Sequence, residues 1–192
     1  AMQLCRLALD LNPDEGIAHT LLGQIYLAKG DRELAYEHLN RATLLDPEQP
    51  VSWLMLAAIQ KEDGHAREAV DTLRAAVLAV PCSAEIHFAL AQSSLENHLP
   101  SEALPDLREA YRLKPASAEI AQTYADVLRV LGHSSESRQV VNEARQKFPA
   151  YAGLAALDGL MLMDAGDLEA AALAFEIALD SPEPRPEWYL FY

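Results

Sequence analysis

Proline recurs every 34 residues along most of this chain, at Pro13, Pro47, Pro81, Pro115 and Pro149. A second series keeps the same step: Gly30, Gly64, His98, Gly132 and Gly166. A third runs Ala8, Ala42, Ala76, Ala110, Ala144 and Ala178. Three series in one phase define a repeated structural unit, and that excludes a fold with one irregular core. Each residue type has a physical role at its place. Proline lacks an N–H and clashes with the preceding turn, so it stops a helix. Glycine suits the left-handed backbone where a helix ends. Alanine is small and lets two helices approach closely.

Between these marks the apolar residues recur at helical spacing. From Ile17 to Lys29 they are Ile17, Leu21, Leu22, Ile25 and Tyr26. From Glu33 to Leu45 they are Leu34, Ala35, Leu39, Ala42 and Leu44 or Leu45. The pattern predicts two short amphipathic helices joined by a tight turn at Gly30-Asp31. Asp31 and Asp167 are expected to cap second helices, and Ser101 and Ser134 to do so in their own repeats. Pro105 falls early in a second helix and removes one backbone bond there. No strand-like alternation is present.

A helical pair of 34 residues resembles the tetratricopeptide repeat. Numbered from Gly16, the first full repeat carries the family's residues as Leu22, Gly23, Tyr26, Ala35, Leu39, Ala42 and Pro47. The second has Trp53, Leu56, Ala57, Ala69, Leu73, Ala76 and Pro81. The third has Leu90, Ala91, Ala103, Leu107, Ala110 and Pro115, and the fourth Tyr124, Ala125, Ala144 and Pro149, with Ser137 at an alanine place. The fifth has Gly159, Ala171, Phe175 and Ala178. The resemblance implies an all-α fold, a right-handed superhelical solenoid of antiparallel helix pairs. The repeats would occupy residues 16–49, 50–83, 84–117, 118–151 and 152–185, after a half repeat at 1–15. Asp158 stands where the family has leucine. An unpaired acid is costly to bury, so the first helix of the last repeat is expected to be rotated or less well packed. Residues 186–192, with Trp188, Tyr189, Phe191 and Tyr192, read as an aromatic tail that starts a further helix or domain. The chain is therefore expected to be a piece of a larger protein.

In this family the first helix of each repeat lines the inner surface. The resemblance places a ladder of ligand-facing positions there. In the first repeat they include Ile17, Thr20, Leu21 and Gln24, and in the second Leu54, Met55, Ala58, Lys61 and Glu62. The third offers Glu85, Phe88, Ala89, Gln92 and Glu96, the fourth Glu119, Gln122, Asp126 and Arg129, and the fifth Ala156, Leu157 and Asp164. The Lys/Asn/Arg clamp with which chaperone-binding relatives hold a C-terminal carboxylate is missing. The expected groove is apolar with acids in its middle. It would suit a peptide or protein segment with apolar anchors and a few basic residues.

Charge narrows the partner further. The formal net charge is −14. Such a surface repels phosphate backbones and anionic lipid, so nucleic acid and membrane partners are disfavoured. The two cysteines, Cys5 and Cys82, fall too far apart to bridge, which fits a reducing compartment such as the cytoplasm. No cofactor or metal is expected. His65, His98 and His133 fall at successive inter-helix turns and cannot converge on one ion. His19 and His87 take a place where a bulky residue packs, and His38 lies on a second helix. No catalytic motif occurs. The reading is a non-catalytic interaction scaffold. One alternative is the recruiting arm of a larger enzyme, because the tail faintly resembles the junction before the catalytic domain of aspartyl/asparaginyl hydroxylases. Another is a self-assembly module.

Overall fold

A computed structural model describes residues 2–180. The aromatic run at 186–192 and the prolines before it lie outside the described residues. The chain divides into two compact units, one ending at Ser93 and the other beginning at Ser94. Among the described residues every regular element is an α-helix. The first unit holds α1 (Met2–Leu11), α2 (Gly16–Ala28), α3 (Arg32–Leu45), α4 (Pro50–Glu62) and α5 (Ala66–Ala79). Helix α6 (Ala84–Glu96) runs across the division. The second unit holds α7 (Pro100–Leu113), α8 (Ala118–Val130), α9 (Ser134–Lys147), α10 (Ala152–Asp164) and α11 (Leu168–Leu179). Within the units α2 packs on α3, α4 on α5, α8 on α9 and α10 on α11. Each pair is joined to the next through a shorter interface, α3 with α4 and α9 with α10.

The turn inside each pair follows from its sixth-residue hydrogen bond. Asp31 N–H donates to the Tyr26 carbonyl at 2.9 Å, and His65, Leu99, His133 and Asp167 repeat the bond at 2.8–3.0 Å. That closure needs a left-handed residue just before the donor. Gly30, Gly64, Gly132 and Gly166 supply φ of 79–84°, and His98 adopts φ 59° in the same place. The alanine series lets the helices approach closely. Ala42, Ala76, Ala110, Ala144 and Ala178 are all buried. At Gly23 the approach is closer still, since an added Cβ would meet Leu39 Cγ at 2.5 Å.

A further bond ties one repeat to the next. The ring N–H of Trp53 donates to the Pro47 carbonyl at 2.8 Å, and His19 and His87 offer Nε2 to Pro13 and Pro81 at 3.1 and 3.2 Å. These proline carbonyls lie in the turn just past the helix, outside its hydrogen-bond ladder, and a ring six residues on supplies a donor. This is why a bulky residue with a polar edge stands there in three repeats.

Two expectations fail. Asp31 and Asp167 do cap, accepting from Leu34 N–H at 3.3 Å and Ala170 N–H at 3.1 Å. Ser101 and Ser134 do not, because both fall inside the helix, and Leu99 and His133 occupy the cap positions instead. Ser117 caps α8, accepting from Ile120 N–H at 3.4 Å. The last repeat is also not loosened by Asp158. Its carboxylate forms an ion pair with Arg145 of the preceding second helix, and Leu154, Ala155, Ala156 and Leu157 of α10 are all buried. The acid is compensated, so the helix keeps its packing. Pro105 lies within α7, which continues through it.

Candidate functional site

The site is built on the first helices. In the first unit α4, α5 and α6 enclose a hollow of about 150 Å³. Its floor is Ala57, Ala69 and Leu73, and its wall is Leu54. Ala58 and Ala89 are small enough to leave the space open, and Lys61 and Gln92 stand at its edge. Leu54 and Ala89 pack on the core cluster of Ala57, Ala69, Leu73 and Leu90. The hollow is thus a gap in a well-packed layer and not a loose region. A cavity of about this size holds a benzene-sized group, so it suits one aromatic or branched aliphatic side chain.

The ladder residues meet different fates. Leu54, Lys61 and Gln92 come together at the hollow. Leu21 is exposed and Gln24 half-buried, on a helix that does not line it. Met55 packs instead against the cluster of Leu22, Leu56 and Ile59. Phe88 is half-buried on α6. Thr20 is buried and shares a hydrogen bond of 2.8 Å with Ser52, so it joins α2 to α4 and faces no ligand. Ala156 and Leu157 are likewise core residues.

The acids are less available than the sequence implies. Glu62 is held by Arg32 at 2.6 Å. Arg129 bridges Asp126 and Asp164, at 3.1 Å each, so three ladder positions in the second unit are tied together and carry a net charge of only −1. Glu85 and Glu119 sit in the first turns of α6 and α8, where a carboxylate also stabilises the helix terminus. Glu96 is exposed at the end of α6. Gln122 is half-buried and lies against Gly153, where an added Cβ would collide with its amide. Among the described residues no group of three or more His, Cys, Asp or Glu could hold a metal ion. No described helix is long and apolar enough to cross a membrane.

Sequence profiles of the tetratricopeptide repeat match residues 1–59, and again 54–118 and 124–186. The chain belongs to the tetratricopeptide repeat family. Solved structures agree on the fold. YrrB, described as a tetratricopeptide protein with an unusual peptide-binding site, is 18% identical with a TM-score of 0.80, over 99% of this chain and 97% of that one. PilF of Pseudomonas aeruginosa is 21% identical with a TM-score of 0.78, over 97% and 84%. MamA is 19% identical with a TM-score of 0.72, over 86% and 90%. At these identities the likeness is one of fold. No curated protein sequence matches the chain.

The sequence did not single out the hollow itself. Its signal was the pair Ala58 and Ala89, two small residues on facing first helices. Two alanines acquire that meaning only once the register of α4 against α6 is known.

Proposed function

We propose that the tetratricopeptide repeats of this chain form a protein-interaction scaffold whose first-helix face takes an extended peptide segment. One apolar side chain of that segment seats between α4 and α6. The observation that carries this reading is the hollow floored by Ala57, Ala69 and Leu73, with the amide of Gln92 beside it. An apolar pocket flanked by a few polar groups is the usual form of a peptide anchor site. Gln92 offers a donor and an acceptor to a peptide backbone. Lys61 stands at its edge, Glu85 is an exposed acid of the same unit, and basic residues flanking the anchor are favoured by the net charge.

Peptides selected from a random library on the intact chain test the reading. They should share one aromatic or branched residue, and Ala58→Phe, which fills the hollow from an exposed position, should weaken them tenfold or more. Selected peptides that bind Ala58→Phe as well as the original chain would remove the anchor. Lys at Glu85, Glu96 and Glu119 together should weaken peptides with basic flanks. Unchanged affinity there would remove the electrostatic part alone.

A further inference from the structure

A second cavity lies between second helices of the first unit, α3 and α5, away from the peptide hollow. Its volume is about 590 Å³. Four carboxylates, Glu33, Glu37, Asp63 and Glu68, line it against one guanidinium, Arg32, with Tyr36 as the aromatic wall. Arg32 is already committed to Glu62, Asp63 and the Ile59 carbonyl. Gln60 also lines the cavity. It is 95% buried, and its Oε1 has no hydrogen-bond partner. An orphaned buried carbonyl is unfavourable unless something donates to it.

The repeat supplies an internal comparison. One place on the second helix carries Arg6, Asn40, Arg74, Arg108 and Asn142 at the 34-residue step. In the first unit Arg6 reaches across to the Tyr26 hydroxyl at 3.0 Å, and Tyr26 stands one repeat before Gln60. In the second unit Arg108 of α7 donates to the Tyr124 hydroxyl at 3.3 Å and pairs with Glu136 of α9 at 3.6 Å. Glu136 corresponds to Glu68, two repeats earlier. At Asn142 the arginine is absent and the matching acceptor place holds Ala170. At Asn40 the arginine is absent but Glu68 remains, with His65 of its own turn at 4.0 Å. The gap between α3 and α5 therefore lacks the arginine but keeps the acid of the Arg108 site, and it has Gln60 at the Tyr26 place, while the Tyr124 place holds Leu56.

We propose that this cavity receives an arginine side chain from a partner protein, with the guanidinium donating to Gln60 Oε1 and to Glu68. Arginine fits better than lysine for three reasons. Its fork donates to several acceptors at once, it sheds water more readily than an ammonium, and it stacks on a ring such as Tyr36. Glu33 and Glu37, one turn apart on α3, repel each other, and a cation beside them relieves that repulsion.

The probe is a capped five-residue peptide with a central arginine among alanines, titrated into the whole chain and followed by amide NMR. Saturable shifts are expected at the Gln60 side-chain amide and at Tyr36. The lysine and citrulline counterparts should bind at least tenfold more weakly. Asn40→Arg, an exposed substitution that supplies the missing guanidinium from within, should abolish the shifts. Ala58→Phe should leave them intact, which separates this site from the peptide hollow. Shifts that survive Asn40→Arg, that the citrulline or lysine peptide reproduces equally, or that never saturate would overturn the proposal. So would arginine binding that Gln60→Leu and Glu68→Gln leave unchanged.

Discussion

His19 and His38 join the two helices of the first full repeat through their rings. His19 Nε2 faces the Pro13 carbonyl, which only accepts, so that nitrogen carries the proton. With both rings neutral, His19 Nδ1 then accepts from His38 Nδ1 at 2.9 Å. The His38 ring stacks on Tyr26, with centroids 5.4 Å apart and planes 9° from parallel. Burial lowers the His38 pKa first and the neighbouring His19 lowers it further, while Glu37 opposes them in part and Arg6 adds a smaller lowering. The sign follows from linkage. The unfolded chain takes up the His38 proton near the ordinary value of about 6.5, and the folded chain does so only at lower pH. The contribution of His38 to stability is therefore full above about pH 6.5 and lost as pH falls through its depressed folded value. Urea midpoints should drop from pH 7.5 to pH 5.5, and His38→Gln should flatten part of that slope. An equal slope in the variant would show that other groups carry the acid sensitivity.

At the scale of the element, Asp158 is the clearest departure from the repeat, and its ion pair with Arg145 is the reason α10 still packs. The side chains are 18% and 30% exposed, so the pair is largely shielded from water. Removing either partner leaves a shielded charge alone, whereas replacing both by apolar residues of suitable shape need not destabilise. Arg145→Ala should lower stability by about 1–3 kcal/mol, and the double variant Asp158→Leu with Arg145→Leu should be near neutral. Equal losses in the two variants would mean the pair acts only by filling space. The same element shows where sequence was sufficient and where it was not. Glycine and proline mark the turns from sequence alone because their constraint is on the backbone and local. The Asp31 and Asp167 caps are legible for the same reason. Ser101 and Ser134 misled, because the repeat starts its second helix one residue before them or at them. The partner of Asp158 was out of reach, since it comes from a different helix. So was the orphaned Gln60 Oε1, because an unmade hydrogen bond has no sequence signature.

For the whole molecule the dominant quantity is charge, 29 acids against 15 lysines and arginines. The visible ion pairs are mostly at the surface. Arg41 and Asp14 are more than half exposed, as are Arg74 and Asp71. Pairs of that kind contribute about 0–1 kcal/mol each and weaken with salt. The excess acids oppose compaction everywhere, and salt screens that too. The Debye length falls from about 10 Å at 0.1 M to about 3 Å at 1 M. With 14 uncompensated negative charges, relief of repulsion should exceed the loss of exposed pairs. Raising potassium chloride from 0.05 to 0.5 M should therefore raise the urea midpoint. Binding should move the other way, because a basic peptide is drawn by the same field that salt removes. Opposite slopes of stability and affinity against salt, measured on one preparation, separate a solubilising acid surface from one that recruits. If stability rises while affinity stays flat, the net charge serves the fold and the partner is held by its apolar anchor alone.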